Sequence, residues 1–321
     1  MSILKYRDRE YSCHRGETIL DALLRQKVDL SYGCKQGICQ ACMLRSNITP
    51  PDYTQNNLTT DQRSKNCFLA CQWQPEEDVC IDPVESQSFV NARVVSKSLL
   101  SQDILRLTLE FQKPFEFHAG QFVNLKKSEQ VIRSYSIAST PNHSNTVEFH
   151  IRLLTNGQFS QWAFHELEHG DVIPVSEPKG NCIYNTKGAN ENLLLIGTGT
   201  GLAPLLGIVT DAFEHGHSGR IHLFHGSHIS EGLYLNTKLT QLSEKYENFY
   251  YSGCVSREAS AVFFNGRAND MAFSQYPDLK GWRVFVCGNP EMIKDSQKRA
   301  FLNGASCGHI FSDAFFIESV N

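Results

Sequence analysis

Four cysteines near the N-terminus constrain this chain more than any other feature of its sequence. Three of them form a compact group, with four residues and then two residues between successive members, and the last follows after 28 more residues. The four are Cys34, Cys39, Cys42 and Cys71. Thiolates are strong ligands for soft transition metals, so this part of the chain is expected to fold around a metal centre.

The spacing matches the Cys-x4-Cys-x2-Cys pattern, with a distant fourth cysteine, that holds a plant-type [2Fe-2S] cluster. Zinc is the alternative, but four-cysteine zinc sites usually offer two short pairs. Gly33 and Gly37 would let the backbone approach sulfur closely. Cys67 competes with Cys71 as the fourth ligand. Spacing and the Leu-Ala-Cys-Gln context favour Cys71, which leaves Cys67 as a packed thiol.

Residues 1 to about 86 therefore resemble plant-type ferredoxin domains, with Gln40 standing where many relatives have glycine. This resemblance implies a β-grasp-like fold. A helix is expected to begin at Thr18, because its hydroxyl and Asp21 form a capping pair ahead of an apolar run.

Length, charge and cysteine usage narrow the class of protein. A chain of 321 residues is long enough for more than one domain. With 30 basic and 34 acidic side chains, no nucleic-acid partner is expected. Glycines and a proline interrupt the most apolar stretch, 193–209, so no membrane span is expected. The polar start and the uneven spacing of 11 cysteines favour the cytoplasm.

Changes in pattern divide the chain into three predicted domains. Residues 1–87 form the α+β ferredoxin domain. Short runs of alternating residues in 88–187 are typical of antiparallel strands, and their spacing predicts a β-barrel. In 190–321, buried strands alternate with helical stretches, which predicts an α/β domain with a parallel sheet.

The middle domain carries Arg133-Ser-Tyr-Ser136 on a predicted strand. Residues two apart share a face, so the guanidinium of Arg133 and the ring of Tyr135 lie side by side. A guanidinium binds pyrophosphate well, and a tyrosine ring can cover a flat aromatic ligand. Downstream, His150-Ile151-Arg152 ends a strand, and Gly157-x-x-Ser160 opens a helix whose amides favour phosphate.

In this order, with Ala119-Gly-Gln-Phe122 upstream, these motifs resemble the FAD-binding barrel of the ferredoxin-NADP reductase superfamily. The resemblance implies that Arg133 holds the flavin phosphates, Tyr135 stacks on the ring and Ser136 bonds near the reactive ring nitrogen. The remaining candidate FAD-binding residues are His150, Ile151, Arg152, Gly157 and Ser160.

The third domain opens with a buried strand that turns through glycines into a helix, a form suited to cradling phosphate. A glycine loop alone could be only a tight turn. The series Gly-Thr-Gly-Thr-Gly-x-Ala-Pro, however, resembles the nicotinamide module of the same superfamily. The candidate NAD(P)-binding residues here are Gly197, Thr198, Gly199, Thr200, Gly201 and Pro204.

Cys287-Gly288 ends the last buried strand, at the sheet edge where α/β proteins bind ligands. By resemblance this pair lies beside the nicotinamide, which implies nucleotide contact for Gly288 and a catalytic role for Cys287. Near the C-terminus, Asp313-Ala-Phe is similar to the family's acid-x-Phe sequence. Asp313 and Ser136 are the other two catalytic candidates. An exposed cap is the alternative role of Asp313.

NADH and NADPH both remain open as the reductant. Ser256, Arg257 and Arg267 resemble the 2'-phosphate site of bacterial ferredoxin-NADP and flavodoxin-NADP reductases. Against this, His228 occupies a position where relatives often have arginine, and oxygenase reductases with this domain order commonly use NADH.

From the N-terminus, the chain has a cluster domain, a flavin domain and a nicotinamide domain. In this order and over nearly its whole length, it resembles the reductase components of multicomponent bacterial oxygenases. A nicotinamide gives two electrons as hydride and a [2Fe-2S] cluster accepts one, so a flavin must connect them. We therefore expect an NAD(P)H-dependent iron-sulfur flavoprotein that serves a partner protein, an oxygenase component. The alternatives are a stand-alone ferric or flavin reductase and a non-enzymatic, cluster-bearing redox sensor.

Overall fold

The computed structural model describes residues 1–84, 89–141 and 145–316. Contacts divide the chain into two compact units. One comprises Met1–Asn91, Val123–Ser134 and Ile173–Glu177, and the other Ala92–Phe122, Tyr135–Val172 and Pro178–Asn321. The domain boundary expected at 87/88 lies outside the described residues, and the domain limits stay predictions.

The N-terminal part forms a five-stranded mixed sheet in the order β2-β1-β5-β3-β4, where β1 and β5 are parallel. Its strands and helices are β1 Ser2–Tyr6, β2 Arg9–Cys13, α1 Ile19–Arg25, β3 Met43–Ser46, α2 Thr60–Ser64, β4 Cys67–Leu69 and β5 Val79–Pro83. Thr18 caps α1 as expected, accepting a hydrogen bond from the Asp21 amide at 3.1 Å. Leu20 and Leu23 bury the apolar face of α1 in the core beside Phe68.

The middle region forms a six-stranded sheet in the order β10-β7-β6-β11-β8-β9. Its elements are β6 Phe89–Ser101, β7 Ile104–Phe111, β8 Phe122–Lys126, β9 Ile132–Ser136, β10 Thr146–Arg152, α3 Gln158–His165 and β11 Val172–Ser176. The pairs β6–β7, β7–β10 and β8–β11 are antiparallel, as the alternating sequence predicted. The alternating pattern did not predict β11, because Pro174 weakens its strand signal.

The C-terminal region is a six-stranded parallel sheet in the order β15-β14-β13-β12-β16-β17. Its elements are β12 Asn192–Thr198, α4 Leu202–Glu214, β13 Ile221–Ser227, α5 Asn236–Lys245, β14 Phe249–Val255, β15 Phe264–Asn265, α6 Ala268–Gln275, β16 Trp282–Gly288, α7 Pro290–Leu302 and β17 Ile310–Ala314. The strand order reverses between β12 and β16, which creates the switch point where such sheets bind ligands. None of the helices in the described part of the chain is long and apolar enough to cross a membrane.

Candidate functional site

The loop before β3 surrounds its cysteine sulfurs with backbone amides. The amides of Gln36, Ile38 and Cys39 donate to Sγ of Cys34 at 3.3, 3.4 and 3.4 Å. The amide of Cys34 donates to Sγ of Cys39 at 3.3 Å. Hydrogen bonds to sulfur stabilise its anionic form, so this loop is suited to thiolate ligands.

The four predicted ligands stand as two thiol pairs. A hydrogen bond from the Cys39 thiol lowers the pKa of Cys34 to about 5. In the second pair, the bond from Cys42 lowers the pKa of Cys71 to about 7. Two thiolates for each of two irons is the protein donor set of a [2Fe-2S] cluster, and the residues present therefore fit this group.

Cys67 has different contacts from those of the two thiol pairs. It is buried in β4, and its backbone carbonyl accepts a hydrogen bond from Nε2 of Gln55 at 2.7 Å. Burial raises the pKa of its thiol, which favours the neutral form. These contacts support Cys71 as the proposed fourth ligand and Cys67 as a packed thiol.

Gln40 adopts the left-handed backbone conformation that glycine would adopt more easily, with φ at 59°. For a non-glycine residue this costs about 1–2 kcal/mol. Its side chain donates to the carbonyl of Asn57 at 2.6 Å, which partly offsets that cost. The departure from glycine thus leaves the loop conformation intact.

The start of α3 is built to receive an anion. Gly157 caps this helix without a side-chain acceptor for the first-turn amides. Ser160 closes the preceding loop, accepting from the Leu154 amide at 3.1 Å and donating to the Gly157 carbonyl at 3.2 Å. Nearby, the Tyr135 ring packs 5.1 Å from that of Phe159. Open amides beside an aromatic platform fit a flavin nucleotide.

The other residues predicted to bind FAD have their own protein contacts. Arg133 donates to the carbonyls of Tyr32 at 3.3 Å and Ile132 at 2.9 Å, so its phosphate contact stays a prediction. Ile151 is fully buried. The exposed Arg152 donates to Asp103 at 3.0 Å.

His150 lies inside the protein. Its Nδ1 pairs with the hydroxyl of Tyr234 at 3.0 Å and its Nε2 with the carboxylate of Glu148 at 2.9 Å. Burial lowers its pKa, which favours the neutral ring. Any contact of His150 or Ile151 with FAD must therefore come from the main chain.

The three predicted catalytic residues come from three strands and meet. Ser136, at the end of β9, donates a hydrogen bond to Oδ2 of Asp313 at 2.7 Å. Asp313 in β17 is the register partner of Cys287 in β16. Burial raises the pKa of Asp313 to about 6, although the Ser136 bond lowers it. Asp313 is therefore a strand residue with a Ser136 partner, and its alternative role as an exposed cap is wrong.

The loops after β12 and β16 pack backbone against backbone, which explains their glycines. A Cβ on Gly201 would lie 2.6 Å from the carbonyl carbon of Cys287, and one on Gly288 would lie 2.8 Å from the carbonyl oxygen of Thr198. The Asn289 amide also donates to the Thr198 hydroxyl at 3.2 Å. A 3-10 turn, Gly199–Gly201, leads directly into α4 and has no side-chain cap, so the amides at the start of this turn fit a dinucleotide phosphate.

Positive charge collects beyond the ends of β13 and β14. Burial and then the charges of Arg257, Arg152 and Arg267 lower the pKa of His228. The His228 ring pairs with the Ser256 hydroxyl at 3.3 Å. Cations that repel a neighbouring imidazolium form a place for an anion.

Comparisons with known proteins match three regions of the chain to known domain families. Residues 4–76 match the 2Fe-2S iron-sulfur cluster binding domain, 91–184 the oxidoreductase FAD-binding domain and 195–298 the oxidoreductase NAD-binding domain. A ferredoxin–NAD(P)+ reductase component of naphthalene 1,2-dioxygenase/salicylate 5-hydroxylase systems, from Ralstonia, is 33% identical over 95% of both chains.

The chain belongs to the ferredoxin–NAD(P)+ reductase family. The reductase is also 30% identical, over 94% of both chains, to the corresponding component of the naphthalene 1,2-dioxygenase system from Pseudomonas putida. A crystal structure of an Amycolatopsis cytochrome P450 reductase, GcoB, matches with a TM-score of 0.71, 26% identity and 99% coverage of both chains. The reductase is thus an NAD(P)H-dependent oxidoreductase that uses FAD and a [2Fe-2S] cluster.

When bound, FAD accepts a hydride from NAD(P)H and the cluster carries single electrons. The residues of the reductase hold, orient and tune these groups. Three of its buried site residues were missed from the sequence. Tyr234 holds His150, Cys182 places its Sγ 3.7 Å from that of Cys287, and Asn124 donates to the Cys39 carbonyl. The only sequence signal for any of them is the polar Asn124 within an apolar strand.

Proposed function

We propose that the reductase passes electrons from NAD(P)H, through FAD and its [2Fe-2S] cluster, to an oxygenase component. The observation that carries this proposal is the presence in one chain of two groups of residues: Ser136, Asp313 and Cys287, which meet at the parallel sheet, and four cysteine thiols that stand as two pairs. The relatives from Ralstonia and Pseudomonas putida are named as reductase components of dioxygenase systems, which supports an acceptor of that class. Dependence on NAD(P)H and the cysteine pattern support the cytoplasm as its location.

The proposed roles follow from the contacts. Cys34, Cys39, Cys42 and Cys71 bind the cluster. Open amides at the start of α3 and at the 3-10 turn before α4 bind the phosphates of FAD and NAD(P)H. Ser136 and Asp313 hold or move a proton beside the flavin. Cys287, whose pKa is raised by burial, by Cys182 and by Asp313, remains a neutral thiol that positions the nicotinamide.

Replacing one cluster ligand tests the proposal. In a Cys39→Ser variant, turnover of NAD(P)H with ferricyanide, which can react at the flavin, should persist, whereas reduction of cytochrome c should be lost. Cytochrome c reduction at the unchanged rate would favour the stand-alone ferric or flavin reductase. Absence of steady turnover by the unchanged protein with either acceptor would favour the redox sensor.

We further propose NADPH as the preferred reductant, because the positive charges of Arg257 and Arg267 both act on His228 and a 2'-phosphate would offset the positive charge at this place. A charge-assisted hydrogen bond contributes about 1.5–3 kcal/mol, so Arg257→Ala should lower kcat/KM for NADPH by about tenfold or more. The value for NADH should change little. Arg15→Ala, at an exposed arginine of the cluster domain, is the control. A wild-type preference for NADH would overturn this choice.

A further inference from the structure

A buried asparagine interrupts one apolar strand of the flavin barrel. Strand β8 reads Phe-Val-Asn-Leu-Lys, and the side chain of Asn124 is fully buried between Val123 and Leu125. Asparagine is depleted in strands, and a buried amide without partners costs roughly 1–3 kcal/mol by mutational measures. Such a residue is therefore expected to have a specific bonding task.

The hydrogen bonds of Asn124 connect two segments that are far apart in sequence. Its Nδ2 donates to the backbone carbonyl of Cys39 at 3.0 Å. Its Oδ1 accepts from the hydroxyl of Ser134 at 2.8 Å. Its backbone amide donates to the hydroxyl of Ser176 at 2.9 Å. All four residues belong to the same compact unit.

The Cys39 end of this bridge lies at a sensitive point of the cluster loop. The bonded carbonyl belongs to the peptide that joins Cys39 to Gln40, whose backbone has a φ of 59°. The next amide, that of Ala41, donates to the sulfur of Cys39. Because a peptide unit is planar, holding this carbonyl also fixes the plane of the Gln40 amide, from which the backbone continues to the Ala41 amide.

The Ser134 end lies in the strand that carries the flavin motif. Ser134 directly precedes Tyr135 in β9, and Ser136 follows. Asn124 touches neither a ligand sulfur nor Tyr135 in the hydrogen bonds described above. The two side-chain hydrogen bonds of Asn124 therefore connect it to electron transfer through Cys39 and Ser134.

We propose that Asn124 is a positioning residue for the step that delivers electrons to the cluster. It ties the Cys39 peptide to strand β9, and in this way it maintains both the placement of the cluster loop and the amide-to-sulfur hydrogen bonds. The inference rests on the proposed function, because it requires a cluster that is reduced through the flavin. Hydrogen bonds to sulfur raise the potential of such a cluster, so loss of the bridge should make the potential more negative.

Asn124→Leu tests the bridge, because leucine has a similar size but cannot make either hydrogen bond. Ser176→Ala is the matched control, since it removes a buried hydrogen bond to the same residue without disturbing the bridge. The first readout is the cluster midpoint potential, from an EPR-monitored redox titration. The second is the ratio of cytochrome c to ferricyanide reduction.

Asn124→Leu should shift the potential to a more negative value and lower the acceptor ratio by about tenfold, because small misplacements of reacting groups have large effects on rate. Ser176→Ala should leave both readouts near wild type. A potential and a ratio for Asn124→Leu equal to those of Ser176→Ala would overturn the inference.

Ser134→Ala provides a second route if the leucine variant does not fold, because Ser134 is exposed and its replacement removes only one bond of the bridge. A smaller shift in the same direction is expected, and no shift would overturn the inference. If the unchanged protein lacks a cluster that NAD(P)H can reduce, the proposed function itself fails, which is a different result from a wild-type cluster that is insensitive to Asn124.

Discussion

The hydrogen bond between Ser136 and Asp313 can reverse its direction near neutral pH. Burial raises the pKa of Asp313 to about 6, so above this pH the carboxylate accepts a hydrogen bond from the Ser136 hydroxyl. Below it, the neutral carboxyl can donate to the Ser136 oxygen, which leaves the hydroxyl hydrogen available to a ligand. In the role proposed for Ser136 beside the flavin, this single titration decides whether its hydroxyl presents a lone pair or a hydrogen.

This arrangement predicts a pH dependence of the reductive half-reaction. The rate of flavin reduction by NAD(P)H should show a transition near pH 6 that is lost in Asp313→Asn. Because the Ser136 bond lowers the pKa of Asp313, Ser136→Ala should move the transition to higher pH. Stopped-flow absorbance across pH 5 to 8 measures this, and an unchanged transition in Asp313→Asn would assign it to another group.

At the residue scale, the sequence revealed those site residues whose partners are close in the chain. The cluster triplet and the glycine loop can be recognised because their spacing itself determines the geometry. Cys182 and Cys287 are 105 residues apart, and Asn124 and Cys39 are 85 apart. Such pairs meet only through the tertiary fold, and no sequence motif contains both partners.

At the scale of elements, close backbone approach between two loops shapes the proposed nucleotide site. Gly201, with an ordinary helical φ of −58°, is required by space and not by conformation. An added Cβ would collide with the carbonyl of Cys287. The loops after β12 and β16 can therefore stay in contact only while this position lacks a side chain.

We accordingly expect Gly201→Ala to lower the free energy of unfolding by about 1–3 kcal/mol, the usual cost of overpacking. It should also raise KM for NAD(P)H, because the loop must move. Gly308→Ala is the control, as a Cβ there meets nothing within 4 Å. Denaturant titration and steady-state kinetics check both effects, and equal stability of the two variants would contradict the steric argument.

The sequence located the strands that alternate clearly or lie fully buried. In the C-terminal region, the apolar sequence at 193–196, 221–224, 249–255 and 284–286 predicts strands, and these residues lie in β12, β13, β14 and β16. By contrast, β15 has two residues, both exposed, and gives no periodic signal. The strand order of the sheets could not be derived, because it depends on long-range pairing.

At the scale of the whole molecule, buried histidines connect stability to pH. Burial lowers the pKa of both His222 and His225 to about 4, from 6.5. Between these values the unfolded chain binds more protons than the folded one. The contribution of the two neutral histidines to the free energy of unfolding is therefore fully present above pH 6.5 and is lost as pH falls towards 4. Each histidine can contribute on the order of 3 kcal/mol to this loss.

Thermal denaturation at pH 7.5 and pH 5 should therefore show a large fall in Tm at the lower pH. The fall should be smaller in His225→Phe, which removes one titrating group from the interior of β13. An equal fall in the variant and the wild type would place the acid sensitivity elsewhere in the chain.

In the proposed function, one chain takes electron pairs from NAD(P)H and releases single electrons through a cysteine-bound cluster. An anaerobic titration with NADPH or NADH, followed by flavin absorbance and by EPR, tests this most directly. The account predicts about two irons per chain and a reduced-cluster signal that grows after the flavin bleaches. Zinc in place of iron, or a flavin that bleaches while the cluster stays oxidised, would contradict it.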